Sequence, residues 1–246
     1  MADSGLWGAP VPLAVALRPQ TLDEVVGQSQ ALAAGGPLRQ LADPHHTGAA
    51  SSLILWGPPG TGKTTLASIV ARASGRRFME LSAVTAGVKD VREVLETARR
   101  EGELSSRAPV LFLDEIHRFS KAQQDALLPG VENGVVVLIA ATTENPSFSV
   151  ISPLLSRSLL VTLNPLEPGD IEAVIERALH SPQGLAGAIE LEAGAAGDLV
   201  RLSGGDARKA LTALEAAVAV ARERGGDGSG ISVNAEDVSR AITGAR

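Results

Sequence analysis

Five short apolar runs punctuate the first two thirds of the chain, at residues 52–56, 78–81, 110–113, 135–141 and 159–163. Runs with little polar alternation suit strands buried on both faces. Between them the spacing turns helical. Leu66, Ile69 and Val70 share a face within residues 62–73, and Val91, Val94, Leu95 and Ala98 do so within 88–100. Residues 120–128 open on Ser120 with Gln123 three positions on, a capping-box signature. Strands alternating with helices predict an α/β fold whose five-stranded parallel sheet is covered on both faces.

The pattern changes at residues 164–170, NPLEPGD, where two prolines and a glycine predict a hinge and Asp170 a helix N-cap. Beyond it, helical spacing recurs at 171–179, 195–203, 207–223 and 235–242, with Asp206 and Asn234 in capping positions and one weak strand at 188–191. The expected organisation is a loose tail over 1–12, an α/β core over 13–164 and a small helical lid domain over 165–246. Within the core, breakers at 35–37 and 43–52 flank a short helix at 38–41, and residues 225–230 read as a loop.

Composition narrows the function classes. Hydrophobic residues are 44% of the 246 but aromatics only 2%, so alanine, leucine and valine must fill the core. With no cysteine there are no disulfides, thiolate metal sites or thiol nucleophiles, which suits a cytoplasmic protein. No apolar run is long enough to span a bilayer, and the N-terminal residues lack the pattern of a signal peptide. A net charge of −6 argues against a surface coated for nucleic acid, so any DNA contact must come from a local patch or an assembled pore.

The chemistry concentrates in two segments. GPPGTGKT at residues 57–64 matches G-x-x-x-x-G-K-S/T between a predicted strand and a predicted helix. Glycines let successive amides face phosphate oxygens, and the helix N-terminus adds positive potential. Gly57, Pro58, Pro59, Gly60, Thr61, Gly62, Lys63, Thr64 and Thr65 are therefore the expected nucleotide-binding residues. Lys63 would reach the β- and γ-phosphates and the Thr64 hydroxyl would hold Mg²⁺. VLFLDE at 110–115 is an apolar strand ending in two carboxylates. Ligand sites in parallel sheets lie at the carboxyl ends of strands. Asp114 is thus expected to hold Mg²⁺ through its water shell and Glu115 to polarise the attacking water. The guanine signature N-K-x-D is absent, which favours ATP.

These segments, with DEIHRF at 114–119, ATTENPSF at 141–148 and LLSR at 154–157, resemble AAA+ ATPases of the clamp-loader and RuvB-like branch. More narrowly, with LSAVTAGVKDVR at 81–92 and KAQQDALL at 121–128, the chain resembles the replication-associated recombination protein A family from about Pro12 onward. The resemblance implies a sensor-1 role for Thr143, with Asn145 as the alternative two residues on. It implies an arginine finger at Arg157, acting on ATP bound by a neighbouring subunit, although Ser158 stands where relatives often have cysteine. In GGDAR at 204–208 it implies a sensor-2 role for Arg208, with Lys209 the adjacent candidate. In RPQTLDEVVGQ at 18–28 it implies an adenine pocket near Arg18, Pro19, Val26 and Gly27, with Gln28 structural.

The function so implied is a DNA-dependent ATPase acting at stalled or damaged replication forks. Single-stranded, gapped or forked DNA, further copies of the chain, single-strand-binding protein and replisome components are the implied partners. Lys89, Arg92, Arg118 and Lys121 are the implied DNA contacts, by analogy with helix starts that face the clamp-loader channel. Two alternatives are a nucleotide-gated, clamp-loader-like scaffold and a RuvB-like branch-migration motor, the latter weakened because no winged-helix region follows the lid. The family normally continues into an oligomerisation region, so the chain is expected to be a fragment lacking it. His45 and His46 read as a solvated pair, His117 as a packing residue with orientation of the metal shell as the alternative, and Trp56 as core beneath the phosphate loop.

Overall fold

The computed structural model describes residues 11–46, 48–102, 107–225 and 230–243. Most of the tail expected at 1–12 and most of the loop expected at 225–230 lie outside them. The chain divides into two compact units, Pro19–Asn164 and Met1–Arg18 with Pro165–Arg246.

A short helix, α1 (Leu13–Ala16), comes first and belongs to the second unit. The first unit runs α2 (Pro37–Ala42), β1 (Ser52–Trp56), α3 (Lys63–Ala73), β2 (Phe78–Ser82), α4 (Val88–Gly102), β3 (Val110–Asp114), α5 (Lys121–Asp125), α6 (Leu128–Glu132), β4 (Val137–Thr142), α7 (Pro146–Ser149), α8 (Ser152–Leu155) and β5 (Ser158–Thr162). The helix expected over 120–128 is instead two, α5 and α6. Pro129 lacks an amide hydrogen and fits only a first helical turn, so a new helix starts there.

All five strands are parallel, in the order β2-β3-β4-β1-β5. Alternate residues explain the unbroken apolar runs. Leu53, Leu55, Val110, Phe112, Val137 and Ile139 pack on one face with Leu66, Ile69 and Val70 of α3. Ile54, Leu111, Leu113, Leu138 and Ala140 pack on the other with Val91 and Ala98 of α4, Ile116 and Leu127. Both faces of the central strands β1, β3 and β4 exclude water, so these are apolar at nearly every position, whereas on the edge strands Glu80 of β2 and Leu159 and Leu160 of β5 are exposed. The Phe78 ring stacks on Phe112 at the β2–β3 pair.

The second unit adds α9 (Pro168–His180), β6 (Ile189–Leu191), α10 (Ala193–Ser203), α11 (Ala207–Gly225), β7 (Ile231–Val233) and α12 (Ala235–Thr243). Leu13 and Leu17 are buried, α1 packs on α11, and the Leu17 carbonyl accepts from Arg177 of α9 at 3.1 Å, which is why α1 groups here rather than with the α/β core. Asp170 is not the cap of α9. It is the third helical residue, and its carboxylate accepts from the Glu167 amide at 3.1 Å. Asp206 does cap α11, accepting from the Lys209 amide at 3.0 Å. β7, which the sequence pattern does not reveal, pairs parallel with β6.

Asn234 caps α12 by accepting from the Asp237 amide, and Asp237 returns the bond to the Asn234 amide, both at 3.0 Å. Arg224, at the end of α11, grips the same carboxylate with two hydrogen bonds, at 3.0 and 2.8 Å, and donates to the Ser232 carbonyl of β7. One buried carboxylate thus ties α11, β7 and α12 together. The Arg224 hydrogen bonds hold Asp237 below the usual carboxylate range, with the Asn234 amide assisting. A carboxyl group depressed on folding stabilises above its unfolded pKa and loses that contribution as pH falls through its folded value. Asp237→Asn is expected to lower the melting temperature of this unit by ~5 °C at neutral pH, the effect of ~1 kcal/mol in a domain of this size. The gap between parent and variant should narrow as pH falls below ~4, as thermal melts across a pH series would record.

Candidate nucleotide site

Because β1, β3 and β4 are parallel neighbours, their carboxyl ends share one edge of the sheet. Trp56 pairs with Thr142 and Leu113 with Ala140, so the segments following β1, β3 and β4 emerge side by side. Strands lie ~4.8 Å apart, which sets the ends of β1 and β3 ~10 Å apart, a gap that a phosphate group and a hydrated cation can bridge.

The loop after β1 needs its glycines for two distinct reasons. A side chain at Gly57 would put its Cβ 2.3 Å from the Leu163 carbonyl oxygen, so the close approach of the segment after β5 excludes one. Gly60 and Gly62 have φ of 73° and 93°, the left-handed region that favours glycine. The backbone curls and then enters α3 at Lys63. Lys63 is buried, its ammonium donating to the carbonyls of Gly57 at 2.7 Å and Pro58 at 2.8 Å, and Thr61 closes the curl by donating to Pro58 at 2.9 Å. Thr64 and Thr65 stand half-buried on the first turn of α3, while Pro58 is half-buried and Pro59 exposed. A curl of left-handed glycines, a helix N-terminus and a lysine at its mouth fits a chain of phosphates. Thr64 and Asp114 offer the hydroxyl and carboxylate oxygens that would hold a hydrated magnesium ion, which binds few protein ligands and keeps its waters.

Glu115 follows β3 with φ of 58°, a left-handed conformation costly for a residue with a side chain. Its carboxylate lies 3.1 Å from His117 Nε2 and 3.6 Å from Arg118 Nε. His117 does more than pack. Its side chain is almost enclosed, and Nδ1 lies 3.1 Å from the hydroxyl of Thr142, the fully buried last residue of β4. Sequence reasoning did not find Thr142. The signal available was two threonines at the strand end, and burial distinguishes them: Thr143, next in line, is half-buried. Asn145 is engaged as the cap of α7, accepting from the Ser147 amide at 3.0 Å.

Arg157 sits just before β5, beside Glu132 at 2.8 Å. Ser158 pairs with Ser52 at the start of β1, and Thr162 with Trp56 at its end. A five-residue strand spans ~16 Å, so Arg157 lies at the opposite sheet edge from the phosphate loop of its own chain. Gln28 bridges to Asn164, donating to its carbonyl at 2.7 Å and accepting from its amide at 3.0 Å, which fixes the segment carrying Pro19, Val26 and Gly27 against the end of the first unit. Arg18 and Arg208 belong to the second unit, Arg208 exposed on the first turn of α11 beside exposed Lys209. Lys89, Arg92, Arg118 and Lys121 are all exposed, and Gln123 donates to the Ala86 carbonyl at 2.9 Å, joining the start of α4, which carries Lys89 and Arg92, to that of α5, which carries Lys121 and follows the turn ending at Arg118. His45 and His46 are exposed, and Trp56 is only half-buried rather than enclosed core. Among the described residues no cluster of three or more histidine and acidic side chains is arranged to hold a metal, and no helix is long and apolar enough to cross a membrane.

The pattern of the ATPase family associated with various cellular activities (AAA) matches residues 53–165. The chain is 55% identical over 217 residues to an uncharacterized AAA domain-containing protein of Mycobacterium tuberculosis, covering 88% of this chain and 47% of that protein. It is 46% identical over 206 residues to replication-associated recombination protein A of Escherichia coli, covering 83% and 45% respectively. The RuvB Holliday junction branch migration motor of Thermotoga maritima superposes with a TM-score of 0.73 at 26% identity, over 93% of this chain and 72% of that one. The chain spans about half the length of the curated relatives it matches.

Gly57→Ala should distort the loop against the Leu163 carbonyl and weaken ATP binding by at least ~10-fold, about 1.4 kcal/mol. Titration with a fluorescent ATP analogue reads this directly, and an unchanged affinity would show that the close approach does not shape the loop.

Proposed function

We propose, for a chain that belongs to the AAA ATPases and within them to the replication-associated recombination protein A family, that it binds Mg-ATP and hydrolyses it in a DNA-dependent cycle at stalled or damaged replication forks. The observation that carries this reading is the shared edge where the glycine curl, Lys63 and the Asp114–Glu115 pair emerge together. Lys63 neutralises the β- and γ-phosphates, Thr64 and Asp114 hold magnesium, and Glu115 orients the hydrolytic water with Thr143 assisting. Pro19, Val26 and Gly27 contribute to the adenine pocket. Bound magnesium would supply charge neutralisation across the β- and γ-phosphates.

The position of Arg157 supports a finger that serves a second copy, since a strand's length separates it from the loop of its own chain. The basic helix starts carrying Lys89, Arg92, Arg118 and Lys121 are the surface offered to single-stranded, gapped or forked DNA through its phosphates. Single-strand-binding protein and replisome components are the protein partners that such a role implies, in the cytoplasm.

Steady-state ATP turnover with and without each DNA form tests the reading. Lys63→Ala should abolish ATP binding, whereas Glu115→Gln should retain binding and lose turnover. Replacing Lys89, Arg92, Arg118 and Lys121 with alanine should remove the DNA stimulation and flatten the salt dependence of DNA affinity. A parent chain indifferent to every DNA form would overturn the DNA assignment.

Arg157→Ala should reduce turnover by ~10³-fold or more, as loss of such fingers does in other NTPases. Mixing it with Lys63→Ala should recover turnover, because one variant keeps the loop and the other keeps the finger. A mixture as silent as its components would exclude a finger acting between copies.

A further inference from the structure

Beyond the roles above, the edge beside the phosphate loop contains a chain of hydrogen bonds that ends on Glu115. The Glu144 amide donates to Thr142 Oγ1 at 3.1 Å. That hydroxyl has a single hydrogen to give and two acceptors within reach, His117 Nδ1 at 3.1 Å and the Glu144 carbonyl at 3.2 Å. On the far side of the ring, Nε2 lies 3.1 Å from Glu115 Oε2. An ionised carboxylate only accepts, so Nε2 carries a hydrogen and donates. A ring protonated at Nε2 alone accepts at Nδ1, which directs the Thr142 hydrogen toward it. Every link then runs one way, from the Glu144 amide through the Thr142 hydroxyl and the His117 ring to the Glu115 carboxylate. With both ring nitrogens protonated, the Nε2–H bond to Glu115 is the same and the hydroxyl turns to the Glu144 carbonyl.

The enclosure of this chain matters. Thr142 is fully buried and the His117 side chain is 9% exposed, whereas Glu115 is 28% exposed and Arg118, its neighbour on the open side, 57%. The Arg118 contact is open to water and weak. The His117 bond is sheltered, and it connects the end of β3 to the end of β4 across the sheet edge.

We propose that His117 is a positioning residue: it holds the Glu115 carboxylate in the orientation used for hydrolysis and makes that orientation depend on Thr142 at the end of β4. This rests on the reading of Glu115 as the group that orients water. It adds a residue that does not touch the nucleotide, and it assigns the buried threonine of the pair 142–143 to Glu115 and leaves the half-buried one to the water.

The test compares His117→Ala, Thr142→Val, Thr142→Ser and the His117→Ala/Thr142→Val double variant in the 246-residue chain. His117→Ala should lower kcat by ~10-fold with KM for ATP and ATP affinity within about twofold, the scale on which outer hydrogen-bond partners act. Thr142→Val should lower kcat in the same way, the double variant should be no worse than the poorer single one, and Thr142→Ser should recover turnover relative to Thr142→Val. A purely structural role would instead lower thermal stability and ATP affinity together, with losses that add. An unchanged kcat, a raised kcat, or a loss confined to KM would each overturn the proposal.

A second measurement is independent of turnover. In imidazole nitrogen and proton NMR spectra, the His117 Nε2–H resonance should be hydrogen-bonded, absent in His117→Ala and shifted by both Glu115→Ala and Thr142→Val. A resonance indifferent to both substitutions refutes the chain of hydrogen bonds. If the parent chain hydrolyses no ATP with or without DNA, the functional reading above fails on its own, and the spectra still decide whether His117 holds Glu115.

Discussion

Between Trp56 and Lys63 the backbone has to turn back on itself, and that requirement governs what can surround it. Gly57 lies against the carbonyl of Leu163, so the segment leaving β5 presses on the loop from one side. Lys63 is buried, and an ammonium group in such a place must be hydrogen-bonded, which the Gly57 and Pro58 carbonyls accomplish. The loop therefore holds its lysine in place through its own carbonyls. Parallel strands do the rest, because only when β1, β3 and β4 run the same way do the glycines, the paired carboxylates and the two threonines come out on one edge.

Glu115 shows how such a site departs from local preference. Glycine or asparagine would adopt its left-handed backbone at lower cost. A carboxylate held there, between a sheltered histidine and an exposed arginine, marks a position where side-chain chemistry outweighs backbone comfort.

Much of this was legible in the residues themselves. The three central strands are apolar at almost every position because both sheet faces are covered there, and that pattern distinguished them from the helices without any knowledge of the fold. The phosphate loop and the acidic pair could be located because their spacing is dictated by covalent reach. Elements held by distant partners were harder to see. β7 is three residues long and exists only because β6, some forty positions earlier, accepts it. The split of 120–128 into α5 and α6 turned on one proline outweighing a continuous apolar spacing. α1 reads as the start of the core by position in the chain, yet its leucines are buried beside α11. The link between His117 and Thr142 spans 25 residues and two strands, so neither side chain could announce its partner.

With Arg157 acting as the finger proposed above, its separation from its own phosphate loop would give each copy a polarity: one sheet edge would receive a nucleotide and the other complete someone else's. Contacts of that kind join unlike surfaces, so they close into a ring or continue as an open spiral. In a closed ring every nucleotide meets a finger. In an open arc the number of completed centres is always one fewer than the number of copies, and the copy at one end holds its nucleotide unaided. An assembly built this way can store one slow site among fast ones without any difference in sequence.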